Sequence, residues 1–180
     1  MQTKAENPGN AKFSYRKYYP IRKLIFHSFS EKYNADMLIE YAMKILKYGD
    51  TQPAYVCSLE PLTVIAYSDE MDAVVRLKFP NELADKYELR EGTRLVTSCV
   101  YSPNAFDTTA KDIFPGEHFT GNYSDFIPAV QLFLCKHDEK IRERTALFPE
   151  ELWEHVAFLG KAYIEAHPTL IRDGFSFLKK

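Results

Sequence analysis

The clearest pattern along the chain lies in residues 62–101, where apolar, β-prone runs are separated by an acidic turn and a proline-started connection. Residues 72–79 alternate, with Ala73, Val75, Leu77 and Phe79 on one side and Asp72, Val74, Arg76 and Lys78 on the other. Side chains in a strand alternate between its two faces, so this spacing predicts one buried face and one mostly wet face. Leu62–Tyr67 precedes this run across Ser68-Asp69-Glu70-Met71-Asp72, which reads as an antiparallel hairpin. Ala54–Leu59 lies ahead of Glu60-Pro61, and Thr93–Tyr101 follows Gly92. Residues 54–101 are therefore expected to form about four strands, with a short helix at Pro80–Tyr87, since proline suits a first helical position.

The flanks have helical spacing. Leu38, Tyr41, Ala42, Ile45 and Leu46 predict a helix over Asn34–Tyr48, stopped by Gly49, with Glu40 and Lys44 paired one turn apart. Asp125 reads as the cap of a helix from Ile127 to Cys135 with Pro128 in its first turn. Glu139–Leu147 and Pro149–Ala166 read as two more, the second ended by Pro168. Phe175, Phe177 and Leu178 give the C-terminal segment enough apolar surface to dock. The order predicts an α+β fold: a small antiparallel sheet with an N-terminal helix and two to three C-terminal helices packed on it. Residues 1–12 are polar and are expected to form a flexible tail, leaving 13–180 as one domain.

Charge narrows the function classes a little. Lys and Arg number 23 against 25 Asp and Glu, so no global field steers the chain towards nucleic acid or a membrane. No apolar run reaches the roughly 18–20 residues a bilayer span needs, and the N-terminus lacks the apolar centre of a secretory signal. The expected location is cytoplasmic and reducing. Cys57, Cys99 and Cys135 then read as buried free thiols, with a catalytic thiol or a zinc ligand as the alternative. Residues 12–23 mix Lys12, Arg16, Lys17, Arg22 and Lys23 with Tyr15, Tyr18 and Tyr19. Such a mixture can grip phosphates and stack on bases, but it reads here as tyrosines packed on the domain with their cations in water.

Two places gather reactive side chains. Residues 102–125 lack periodicity and hold Asp107, Asp112, Glu117, His118, Tyr123 and Asp125. A histidine among carboxylates can bind a divalent metal or work as a general acid/base pair, although no diagnostic ligand spacing is present. The second place is the turn with Asp69, Glu70 and Asp72, where three close carboxylates could meet a cation or a basic partner. His155 stands four residues after Glu151, an ordinary surface pair on a helix. No phosphate-loop, dinucleotide or nucleophile-elbow motif occurs, and no cofactor is implied.

Leu77, Pro80, Leu83, Leu89, Gly92 and Leu95 mark a strand–proline–short helix–glycine–strand element in residues 74–100. It resembles the corresponding element of AbrB/MazE-type DNA-binding antitoxins. The resemblance implies DNA contact from the central sheet through Arg76, Lys78, Arg90 and Arg94. Asp69, Glu70, Asp72, Glu82, Glu88 and Glu91 stand against phosphate binding, and the glycine usual ahead of the first strand is missing. The chain is therefore not assigned to that family.

The reading that results is a non-enzymatic macromolecule-binding or interaction module of the small immunity type, with another protein as its partner. Its expected contact surface is residues 102–125 with the 68–72 turn, through Asp69, Glu70, Asp72, Asp107, Asp112, Glu117, His118 and Tyr123. A metal-assisted or acid/base hydrolase built on the 102–125 loop and DNA binding through the central sheet are the alternatives. The oligomeric state is open.

Overall fold

The computed structural model describes residues 5–105 and 108–179. Three helices open the chain: α1 (Tyr15–Ile25), α2 (Phe29–Met37) and α3 (Ile39–Tyr48). The sheet follows with β1 (Asp50–Leu59), β2 (Leu62–Ser68) and β3 (Ala73–Lys78), then α4 (Glu82–Lys86), β4 (Arg94–Pro103), β5 (Phe114–Pro115) and β6 (Tyr123–Val130). α5 (Gln131–Leu134), α6 (Asp138–Ala146) and α7 (Glu150–Ala166) precede β7 (Arg172–Asp173) and a final 3-10 turn at Ser176–Leu178. The mixed α+β class holds, but the sheet has seven strands rather than about four.

Five strands and β5 run in the order β5-β3-β2-β1-β4-β6, all antiparallel, and β7 joins β3 in parallel. β5 pairs with Ala73 and Val74 at one end of β3, and β7 with Leu77 and Lys78 at the other. Two short strands thus cover one edge that a single long strand would otherwise leave open.

The extra long strand is β6, where a helix from Ile127 to Cys135 was expected. Asp125 caps nothing; it pairs with Ser102 across the sheet, and only Gln131–Leu134 is helical. Pro128 fits because β6 is an edge strand, so no ladder bond on its outer side is lost.

The wet face expected on β3 is covered at Asp72, Val74 and Arg76, and only Lys78 at its end is exposed. Every residue of β2 is buried, which requires cover on both sides of the sheet. On one side Ala54, Val56, Val64, Ala66, Val75 and Leu77 belong to a core shared with Phe79, Phe133, Phe175 and Phe177 and with Tyr18, Ile21, Ala35, Ala42, Ile45 and Leu46 of the N-terminal helices, of which α3 lies against β4 and β6. On the other, Ile65, Tyr67 and Val74 meet Val156, Leu159 and Tyr163 of α7. Gly160 lets α7 approach closely, because a Cβ there would overlap the Tyr55 hydroxyl and Ile65. Arg76 is carried into this second interface and is buried, its Nη1 donating to the Pro168 carbonyl just beyond α7 at 3.0 Å.

The N-terminal segment is also tied down, from residue 7 onward. Gly9, Asn10 and Ala11 donate their backbone N–H groups to the carbonyls of Gly49, Lys47 and Leu46 at 2.8, 3.0 and 3.1 Å. A helix end leaves carbonyls without partners, and this segment supplies donors to the end of α3. Most of the 12–23 segment becomes a true helix from Tyr15 onward: Ser14 caps α1 and Tyr18 and Ile21 bury its inner side despite Pro20.

Replacing Gly160 by Leu is expected to cost about 1–3 kcal/mol by overpacking the α7 interface. Phe158→Ser, on the exposed side of the same helix, should leave denaturant unfolding unchanged.

Candidate functional site

The hairpin turn and the loop before β6 do lie side by side. Thr120 donates its hydroxyl to the Glu70 carbonyl at 3.0 Å and Gly116 its N–H to the Asp72 carbonyl at 2.7 Å. The centre of this contact is the Asp72 side chain, which is buried. One carboxylate oxygen accepts from the Tyr67 hydroxyl at 3.0 Å and lies 2.8 Å from His155 Nε2; the other accepts the His118 backbone N–H at 2.7 Å. Asp72 sits at φ 45, a left-handed conformation that aspartate tolerates better than most residues. Gly116 has no Cβ, and one would overlap the Asp72 carboxylate.

Asp72 is therefore a junction joining the β2–β3 turn, the 114–121 loop and α7. Burial pushes its carboxyl up, but the bonds from His155, the His118 amide and Tyr67 outweigh that and hold it below the ordinary carboxylate value. Chemically, a carboxylate bonded to an imidazole is half of an acid/base relay. Tyr67 presents its ring edge-on to His155 at 5.6 Å, and among the described residues no hydroxyl or thiol is hydrogen-bonded to the imidazole. The arrangement lacks the nucleophile that such a relay serves. His155 was expected to face Glu151 at the surface; it turns to Asp72, 83 residues away in sequence.

Asp112 and Asp125 are likewise engaged within the fold. Arg172 grips Asp112 with two bonds at 2.7 and 2.5 Å, reaches Asp125 at 2.9 Å and donates to the Phe126 carbonyl at 2.8 Å. Burial alone raises the Asp112 carboxyl, and the Arg172 guanidinium more than reverses this, leaving it below its ordinary value. This clamp fastens the loop ahead of β6 and the C-terminal segment to β6. Among the remaining candidates, Glu70, Glu117 and His118 are exposed and Tyr123 is half-buried at 4.8 Å from Tyr101. Asp69 accepts from Gln52 at 2.6 Å. Asp107 lies outside the described residues. No three His, Cys, Asp or Glu side chains converge as a metal-ligand set among the described residues.

Of the four cations of the central element, Lys78 and Arg90 are exposed and the other two are engaged within the fold. Arg76 is buried, and Arg94 is paired with Glu150 and lies 4.9 Å over the Trp153 ring. Both faces of β2 are buried within the fold.

Next to the Asp72 junction, Asp50 forms a buried carboxylate of opposite behaviour. Gln52 donates to it at 2.5 Å and the Asn7 N–H at 3.3 Å. Burial, reinforced by the Asp69 and Glu70 carboxylates, overcomes these bonds and lifts its carboxyl to about 6.

The chain matches no known protein-family profile, and no curated protein or solved structure is significantly similar to it. No helix among the described residues is long and apolar enough to cross a membrane.

The feature that sequence reasoning missed is on the outside of the N-terminal helices. Phe29, Tyr33 and Met37 of α2 are 85%, 57% and 67% exposed. They recur every four residues, so they form one stripe along the helix. Tyr15 and Tyr19 on α1, stacked with ring centroids 6.0 Å apart, and Tyr41, Met43 and Tyr48 on α3 are exposed as well. The spacing is legible in the sequence, but a stripe that faces solvent and one that faces a core look alike there.

The two aspartates should title oppositely in stability. Asp72 is depressed in the fold, so its contribution is present above the unfolded carboxyl value near 4 and is lost as pH falls through the lower folded value. Asp72→Asn is expected to remove about 1–3 kcal/mol at neutral pH and progressively less as pH falls below about 4, read from urea unfolding across that range. Asp50 is raised, so stability is greatest below the unfolded value and declines as pH rises through about 6. Asp50→Asn should flatten the decline in Tm between pH ~5 and ~7; an unaltered slope would remove Asp50 as its cause.

Proposed function

We propose that this protein is a binding module and that its working face is the outer side of the N-terminal helices, centred on Phe29, Tyr33 and Met37. The observation that carries the reading is the exposure of this stripe, with Phe29 at 85%. Large apolar patches on a folded surface are costly to leave in water and mark contact sites. Aromatic residues and methionine are the types enriched at protein–protein interfaces. The helices beneath are held by their own core, through Tyr18, Ile21, Ala35, Ile45 and Leu46, so the stripe is not needed to build the fold. A rigid base under an apolar stripe suits helix-in-groove recognition, in which anchors one turn apart enter a partner.

The surface expected earlier, around residues 102–125 and the 68–72 turn, supports this function less well. The Asp72 and Asp112 carboxylates have internal partners, which leaves Glu70, Glu117 and His118 exposed, and the described aromatic residues of the loop, Phe114, Phe119 and Tyr123, are half-buried. Binding energy at interfaces concentrates in buried aromatic and arginine anchors rather than in rim charges.

Affinity recovery from an extract of the native host tests the choice of face. A stoichiometric partner recovered with the wild type should be lost with Phe29→Ser/Tyr33→Ser/Met37→Ser and retained with Glu117→Ala/His118→Ala. The reverse pattern would move the contact to the 114–121 loop and overturn the reading.

A further inference from the structure

Residues 12–48 contain eight Lys and Arg against three Asp and Glu, whereas the rest of the chain contains 15 against 22. The near-neutral total conceals a positive helical layer on a negative body. The three acids of this layer are all engaged locally. Glu31 accepts the His27 and Ser28 N–H groups as the capping box of α2, both at 2.9 Å. Asp36 is held by Arg22 at 2.6 Å and by the Tyr18 hydroxyl at 2.9 Å, and Glu40 pairs with Lys44 at 2.9 Å. Lys17 reaches across to Asp138. Lys12, Arg16, Lys23, Lys32 and Lys47 have no ion pair among the described residues, and all but the half-buried Lys32 are exposed. The cations are left open on the helices that expose the apolar stripe.

From this we infer that the partner of the Phe29–Tyr33–Met37 face is an acidic protein surface, an apolar patch or helix framed by Asp and Glu. The inference rests on the binding reading above and adds the chemistry of the occupant. Charge complementarity decides among the candidates. A second copy meeting face to face would set unpaired cations against each other, and like charges across an interface are strongly unfavourable. A single-stranded nucleic acid needs planar rings on which bases stack; Tyr15, Tyr19, Phe29, Tyr33, Tyr41 and Tyr48 offer rings, but Leu24, Met37 and Met43, exposed on the same helices, do not, and Met37 is one of the three stripe anchors. A bilayer takes up a broad apolar helix face, whereas the α2 stripe is narrow, with the exposed Ser30 and Asn34 beside Tyr33 and Met37 at a spacing of three. An acidic protein segment with apolar anchors satisfies both the stripe and the cations.

Four fluorescent or scattering probes test it on the full chain: a Glu-rich amphipathic helical peptide with leucines at helical spacing, its Lys-for-Glu counterpart, oligothymidylate, and vesicles containing phosphatidylglycerol. The Glu peptide should bind, the Lys peptide should not, and binding should weaken at least about tenfold in Arg16→Gln/Lys23→Gln/Lys32→Gln and with added salt. A thermal melt confirms that this variant is folded; if it is not, Arg16→Gln/Lys23→Gln, whose side chains are exposed, is read in its place. Equal binding of the two peptides, preference for oligothymidylate or vesicles, concentration-dependent self-association in place of peptide binding, or no binding of any probe overturns the inference. Failure of the charge variant alone, with Phe29→Ser/Met37→Ser still abolishing peptide binding, overturns the acidic partner but not the binding face. Indifference to the stripe variant overturns the face itself.

Discussion

The burial of β2 on both of its faces is the constraint from which the rest of the structure follows. A strand with seven buried residues needs a cover on each side of its sheet. α7 provides one, with Gly160 allowing the close approach. A larger core provides the other, in which Phe79, Phe133, Phe175 and Phe177 join Ala35, Ala42 and Ile45 of the N-terminal helices, with α3 lying against β4 and β6. Once both covers are in place, the centre of the sheet is enclosed, and the outer sides of the helices, the loops and the β6 edge remain for contact with another molecule.

The loops are more constrained than their polarity suggests. Asp72 gathers Tyr67, the His118 amide and His155, and Arg172 gathers Asp112, Asp125 and the Phe126 carbonyl. Both clusters join segments that are far apart in sequence, and both convert charged residues into fasteners. Buried charges of this kind are stable only while every partner is present. Their acidic members are therefore engaged within the fold, whereas Phe29, Tyr33 and Met37 face outward from α2.

Local pattern revealed the central strands well, because alternation and β-prone composition belong to single segments. It revealed α7 and the end of α3 for the same reason, with Pro149, Pro168 and Gly49 as punctuation. It misassigned β6, since Pro128 is as acceptable in a first helical turn as on a sheet edge, and only the pairing with β4 separates the two. It also placed Val74 and Arg76 in water, because alternation tells the faces apart without telling which will be covered. The Asp72–His155 contact and the Arg172 clamp leave no trace in the order of residues, since they depend on how distant segments meet. The exposed stripe was present as a spacing of four and became meaningful only when the inner side of α2 was seen to be occupied by Ala35.

The account turns on the outer side of the N-terminal helices being open in the isolated protein and covered when it works. Hydroxyl-radical footprinting of the purified protein and of the protein within its host cells measures this directly. Phe29, Tyr33 and Met37 are expected to oxidise rapidly when the protein is alone and to be protected in the cell, with Phe158 on α7 equally reactive in both. Slow oxidation of the stripe in the purified protein, or no protection in the cell, would contradict the account.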